Sequence, residues 1–181
     1  MLVKGGCTMI KSAVIIPTGD EIASGVVLDT DSPEVMRQLL ALEPTMSVSR
    51  CAPVRDEEDA IVRAVAEVAQ TVDLVVLIGG SGGGHRFDPA LGRDFTHTAL
   101  EQVLEDVVSR RLFGKNGHLW CRLVCGRLGS TLVINLPGPF VEAKSAMEAF
   151  CQSIEDADPE TINQAMIAAV METYPVKVDV R

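Results

Sequence analysis

Three short runs of aliphatic residues, each ending abruptly in glycine or proline, constrain this chain more than any other feature. Ser-Ala-Val-Ile-Ile-Pro at 12–17 leads into Thr18-Gly19-Asp20-Glu21. Asp-Leu-Val-Val-Leu-Ile at 73–78 leads into Gly79-Gly80-Ser81-Gly82-Gly83-Gly84. Ser-Thr-Leu-Val-Ile-Asn-Leu at 130–136 leads into Pro137-Gly138-Pro139. Runs of this length with almost no polar alternation read as strands buried on both faces, which requires helices above and below a sheet.

The segments between these runs supply helical patterns. Ser32-Pro33-Glu34 is a start signal, with Ser as cap and Pro in the first turn, and Val35, Met36, Leu39, Leu40 and Leu42 follow. Asp56 reads as a cap before Glu57, Glu58 and Asp59, with Ile61, Ala64, Val65 and Val68 at helical spacing. Residues 96–108 read as a helix with Leu100, Val103, Leu104 and Val107 on one face; 141–154 and the segment opening at Asp158 read as two more. Weaker strands are expected at 48–54 and 119–124, and the tail at 174–181 reads as an edge strand. Strands alternating with helices predict a three-layer α/β/α fold around a mostly parallel, doubly wound sheet. The whole of 1–181 reads as one domain, with its core at about 12–150 and a C-terminal helix and tail at 159–181.

Composition narrows the function classes. Aromatic residues make up only 4% of 181, so the core must rest on Val, Ile, Leu and Ala. The net charge of -9 argues against a nucleic-acid partner, whose phosphates need neutralising. Residues 81–127, with 7 basic and 5 acidic side chains, form the only net-basic stretch. Five scattered cysteines point to a reducing compartment, and Cys121 and Cys125 read as small strand residues rather than metal ligands. The N-terminus lacks the apolar core of a signal peptide, and no apolar run is long enough to span a bilayer. A cytoplasmic protein is expected.

In an open α/β sheet, ligands bind beyond the carboxyl ends of the strands. The Thr18, Gly79 and Pro137 loops, and a fourth at Arg55-Asp56, would therefore share one rim. Gly79, Gly80 and Gly82 would let backbone N–H groups approach a phosphate or a flat ring, and Ser81 adds a hydroxyl. The pattern is neither a P-loop nor a dinucleotide fingerprint, and no lysine follows the glycines. Asp20, Glu21, Asp56, Asp88 and Asp94 are candidate Mg²⁺ carboxylates. Arg86, Arg93, Lys115, Arg122 and Arg127 are candidate phosphate partners. His85 and His97 show no pairing pattern of a catalytic or zinc site.

Seven motifs in order carry a resemblance. They are T-G-D-E-I at 18–22, D-x-D at Asp29 and Asp31, V-R-D-E-E at 54–58, D-L-V-V-L-I-G-G-S-G at 73–82, R-D-F-T at 93–96, C-R-L-V-C-G at 121–126 and G-S-T-L-V-I-N-L-P-G at 129–138. Over roughly 12–150 the chain resembles the MoaB/MogA/MoeA superfamily of molybdopterin-binding domains. The resemblance implies a three-layer fold, often trimeric, with Thr18, Gly19, Asp20, Glu21, Gly79, Gly80, Ser81, Gly82, Arg122, Pro137 and Gly138 around a pterin phosphate. It implies adenylylation of molybdopterin by ATP and Mg²⁺, with Asp56 and Asp94 as the catalytic, metal-linked carboxylates. The segment 83–92 is longer than the resemblance implies, so Asp88 is a second candidate for the role of Asp94. Alternatives are a non-enzymatic cofactor carrier or sensor, and a nucleotide hydrolase of the competence-damage type. Implied partners are molybdopterin, ATP, other cofactor-assembly enzymes or a molybdoenzyme, and further copies of the chain.

Overall fold

The computed structural model describes residues 10–82, 93–114, 117–156, 158–174 and 179–180. Asp88, with Arg86, His85 and the rest of 83–92, and Lys115, lie outside the described residues. Seven strands form one sheet in the order β2-β1-β3-β6-β5-β4-β7. They are β1 (Ser12–Pro17), β2 (Ser47–Arg50), β3 (Leu74–Ile78), β4 (Glu105–Phe113), β5 (Leu119–Leu128), β6 (Thr131–Leu136) and β7 (Asp179–Val180). The first four in spatial order, β2, β1, β3 and β6, run parallel. Each step beyond β6 is antiparallel. The sheet is therefore mixed, with the expected parallel strands making up one side of it, from the β2 edge to β6.

Helices α1 (Asp20–Ala23), α2 (Asp31–Leu42), α3 (Glu58–Ala69), α4 (Thr96–Val103), α5 (Phe140–Ser153) and α6 (Pro159–Glu172) complete the layers. One core lies between the sheet and α2, α5 and α6, with Val35, Leu39, Met147, Phe150, Met166 and Ile167 buried in it. The other lies under α3 and α4 and buries Ile61, Val65, Ala99 and Leu100. Alternate residues of β3 enter opposite cores: Leu74, Val76 and Ile78 one way, Val75 and Leu77 the other. The strand period of two thus explains why the run had to be apolar throughout. Among the described residues, no helix is long and apolar enough to cross a membrane.

Several expectations are corrected. The helix expected at 96–108 stops at Val103, and Leu104 turns extended (φ -87°, ψ 145°). Residues 105–108 instead open β4, where Val108 pairs with Cys125. Long-range pairing with β5 overrides a local 3.6-residue pattern that ran on only by coincidence. Val107, expected on the apolar helix face, is exposed. Leu40 and Leu42 are likewise exposed, since α2 buries only the Val35 and Leu39 side. Ser32 is not a cap: α2 starts at Asp31, and Asp29 Oδ1 accepts from Ser32 N at 2.9 Å. Asp56 is not a cap either, because Glu57 holds that position. Asp158 does cap α6 and accepts from Thr161 N at 3.0 Å.

Candidate functional site

The parallel register aligns three strand ends. Pro17 pairs with Ile78, and Ile78 with Leu136. The loops that follow therefore leave the sheet side by side. Thr18 N donates to Ile78 O at 2.8 Å and Gly79 N to Leu136 O at 3.1 Å, stitching their first residues together. A cleft of about 840 Å³ opens at this rim. Thr18, Glu21, Gly79, Gly80, Ser81, Gly82, Asp94 and Gly138 line it.

The glycines at 79 and 80 are demanded by the protein before any ligand. Gly79 has φ +99°, and a Cβ there would lie 2.4 Å from Thr18 O. Gly80 has φ +60°, and a Cβ would lie 2.2 Å from Thr96 Oγ1. The close approach they permit here is to neighbouring loops. The Thr18 and Thr96 hydroxyls lie 2.8 Å apart, so the first loop and the start of α4 clamp the glycine loop.

The clamp also turns the loop's carbonyls inward. Gly80 O accepts from Thr96 N at 3.1 Å and lies 3.2 Å from His97 Nδ1. Ser81 O accepts from Arg122 N at 2.7 Å. In a trans peptide the next N–H points opposite the carbonyl, and the described backbone holds no cis bond. The N–H groups of Ser81 and Gly82 are thus turned away from Thr96, His97 and Arg122. Both residues line the cleft. Successive backbone N–H groups that point into a concavity are a general basis of anion binding. His97 is buried, and burial first of all lowers its pKa, which suits a neutral ring tied to the loop.

The expected catalytic residues separate. Asp94 borders the cleft, its Oδ2 only 2.7 Å from the place a Gly82 Cβ would take. Asp56 is 4% exposed and does not line the cleft; its Oδ2 accepts from Asp20 N at 3.2 Å. Asp20 faces Arg55, 3.9 Å away. Gly19 and Pro137 sit in the rim loops without lining the cleft. Arg122 does not reach the cleft with its side chain: the guanidinium pairs with Glu101 and donates to Ser109 Oγ at 3.0 Å. The basic stretch thus spends one cation on holding α4 to β5.

Other lining residues were missed as site residues or met only as motif letters. Asp29 and Asp31 stand at one side. Burial alone would raise Asp29, but hydrogen bonds from Ser32 and Arg50 hold it below its ordinary value. Burial, and then the Asp29 charge, push Asp31 up to about 6. Also lining the cleft are Trp120 on β5, whose carbonyl lies 3.6 Å from the place a Gly82 Cβ would take, Glu142 in the first turn of α5, and Tyr174 just after α6. The Trp120 and Tyr174 rings lie 4.2 Å apart, tilted by 40°. A lone tryptophan two residues before Arg122 was the available signal; nothing local foretold that Tyr174 returns to it.

Among the described residues, no cluster of three or more Asp, Glu, His or Cys side chains is placed to hold a metal alone. Mg²⁺ commonly uses one or two carboxylates plus substrate phosphates. Asp94 beside the glycine loop fits that arrangement.

An α/β sheet with a clamped glycine loop at its rim defines a class of open-sheet domain whose ligands bind beyond the strand ends. Residues 14–156 match a family model described as probable molybdopterin binding domain, and the chain belongs to that family. A CinA-like protein of Anaeromyxobacter dehalogenans strain 2CP-1 is 41% identical over 68 residues. The match covers 38% of this chain and only 16% of that relative's length. A MogA structure superposes with a TM-score of 0.58 at 21% identity, covering 83% of this chain and 99% of that one. The molybdopterin biosynthesis Mog protein of Mycobacterium ulcerans gives 0.56 at 23%, covering 90% and 93%. At these identities the two structures establish the shared fold.

Proposed function

We propose that the protein acts in molybdenum cofactor assembly, binding molybdopterin in this cleft and adenylylating it with MgATP. The observation that carries the reading is the orientation of the Ser81 and Gly82 N–H groups, fixed from behind by Thr96, His97 and Arg122. The pterin phosphate would rest on those donors. One of its oxygens would attack the α-phosphorus of ATP, and pyrophosphate would leave. Bound Mg²⁺ would supply charge neutralisation on the phosphates, held on the protein side by Asp94. The chain's own contribution is positioning and preorganised donors.

The test is anaerobic binding of molybdopterin together with pyrophosphate release in MgATP. Asp94→Asn should lower the rate about 100-fold or more while pterin affinity stays within about threefold, less than ~1 kcal/mol. Asp88→Asn is the companion variant; if it alone abolishes release, the working carboxylate is Asp88. Wild type that binds pterin but releases no pyrophosphate sinks the adenylylation step and leaves a cofactor carrier. For the binding site itself, Gly138 gives a cleaner probe than Gly80. A Cβ at Gly138 meets nothing nearer than Gly79 Cα at 3.8 Å. Gly138→Leu should therefore fold normally and lose pterin affinity; unchanged affinity moves the ligand elsewhere.

The local identity to a CinA-like protein favours one second reading, hydrolysis of a nucleotide. Turnover of ADP-ribose or nicotinamide mononucleotide in the absence of pterin would support it, and inertness toward both would remove it.

A further inference from the structure

The glycine loop accounts for one wall of the cleft, and its chemistry is that of a phosphate site. A second part of the lining has different chemistry. Trp120, Glu142 and Tyr174 come from β5, α5 and the end of α6, three elements that meet only in the folded chain. Trp120 and Tyr174 present a pair of rings in contact. Glu142 is half-buried, and the Tyr174 hydroxyl neighbours it. Burial pushes the Glu142 carboxyl above its ordinary pKa, and the tyrosine bond draws it part of the way back. Burial, and then the neighbouring Glu142 charge, push the Tyr174 phenol up, so it stays a hydroxyl that donates. An ionised carboxylate has about four lone-pair sites, more than one neighbouring hydroxyl can fill.

A half-buried carboxylate beside aromatic rings, facing an open cleft, calls for a ligand that is flat and brings N–H donors on one edge. A pair of parallel N–H groups on an amidine-like edge meets a carboxylate in two hydrogen bonds, the geometry that makes guanidinium–carboxylate pairs strong. We infer that the Trp120–Glu142–Tyr174 wall recognises a 2-amino-4-oxopyrimidine edge, with Glu142 accepting the ring N–H and the amino group. Pterins and guanine share this edge. The inference rests on the proposed pterin reading, which the cleft's phosphate wall favours as its source. Glu142 acts here in specificity: it meets the ring edge of the ligand, while the glycine loop meets its phosphate.

Calorimetric titration of the full chain tests it with four probes: 6-hydroxymethylpterin, 6-hydroxymethyllumazine, GMP and AMP. Lumazine keeps the ring shape and replaces the 2-amino group with an oxygen. Wild type should prefer the pterin to the lumazine by about 10-fold or more, the worth of one charge-assisted hydrogen bond. Glu142→Gln keeps the size of the side chain and offers an amide N–H to the lumazine oxygen. The preference should fall to about threefold or less, or invert, with lumazine affinity retained as the sign of an intact cleft. Trp120 is the only tryptophan in the chain, so its fluorescence reports directly on that wall. A red shift on Glu142→Gln without ligand would show a disturbed wall, and Glu142→Asp then replaces it as the probe: its shorter carboxylate should lower pterin preference and keep the wild-type emission. Pterin bound without discrimination against lumazine overturns this inference and leaves the pterin function standing. GMP preferred to AMP, with no pterin binding, upholds the edge recognition and overturns the pterin function. No binding of any probe overturns both.

Discussion

The two halves of the sheet differ in how they were built and in what they bring to the cleft. The parallel half, β2-β1-β3-β6, is made of local apolar runs whose ends align in register, and it delivers the backbone donors. The antiparallel half, β5-β4-β7, is patterned with charges: β4 reads Glu-Asp-Val-Val-Ser-Arg-Arg-Leu-Phe. It delivers Trp120, whose role depends on partners far along the chain. The halves are joined by a side chain as well as by the ladder. Asn135 on β6, fully buried, accepts from Val124 N at 2.6 Å and donates to Arg122 O at 3.0 Å on β5. Regular backbone pairing thus gives way, at the seam, to one amide spanning both sides. The glycine-loop side of the cleft is thus a property of strand ends, while the Trp120–Tyr174 side is a property of assembly.

The sharpest way to break the parallel side is Gly79→Ala. Its φ of +99° and the 2.4 Å clash with the Thr18 carbonyl leave a methyl no room. Strain and overpacking together should cost about 4 kcal/mol, read as a lower urea midpoint. A loss below about 1 kcal/mol would mean the loop is not clamped as described. The seam comes next. Asn135→Leu leaves a buried N–H and a buried carbonyl unpaired, and should cost about 3 kcal/mol. Hydrogen exchange should then rise selectively at the amides of 122–126; uniform exchange would deny the seam its separate role.

On the antiparallel side, Asp106 holds φ +47° at an irregularity between Glu105 and Val108. Asp106→Val should destabilise by about 1–2 kcal/mol, since a β-branched residue resists that conformation. Asp106→Gly should hold or gain stability. A valine variant as stable as wild type would return residues 105–108 to the helix that local pattern suggests.

The smallest expected effect is a pH profile. Asp31 has a folded pKa near 6, raised above its ordinary 3.8 by burial and by Asp29. Between about 4 and about 6 the folded chain keeps a proton that the unfolded chain has released, so stability falls as pH rises through this window and levels off above it. Asp31→Asn removes that titration. Its stability should gain on wild type from pH 4 to pH 6; parallel pH profiles for the two proteins would show that Asp31 titrates normally.

The sequence by itself determined the parallel core, its bracketing helices and the three rim loops. Doubly buried strands demand uninterrupted apolar runs, and sharp exits from them demand glycine or proline. Both requirements are local and visible in the order of residues. It also pointed to Thr18, the glycine loop and Asp94, which the cleft brings together. Only the tertiary structure decided the rest. It turned residues 105–108 from helix to strand, because cross-strand hydrogen bonds with β5 outweigh a weak local preference. It withdrew Arg122 into a pair with Glu101 and buried Asp56 under Asp20, because a charge goes to whichever partner the packing puts beside it. It set Glu142 and Tyr174 against Trp120 across 54 positions of chain. Such contacts belong to no segment's own pattern: they arise when independent elements pack, and their chemistry is created by the proximity.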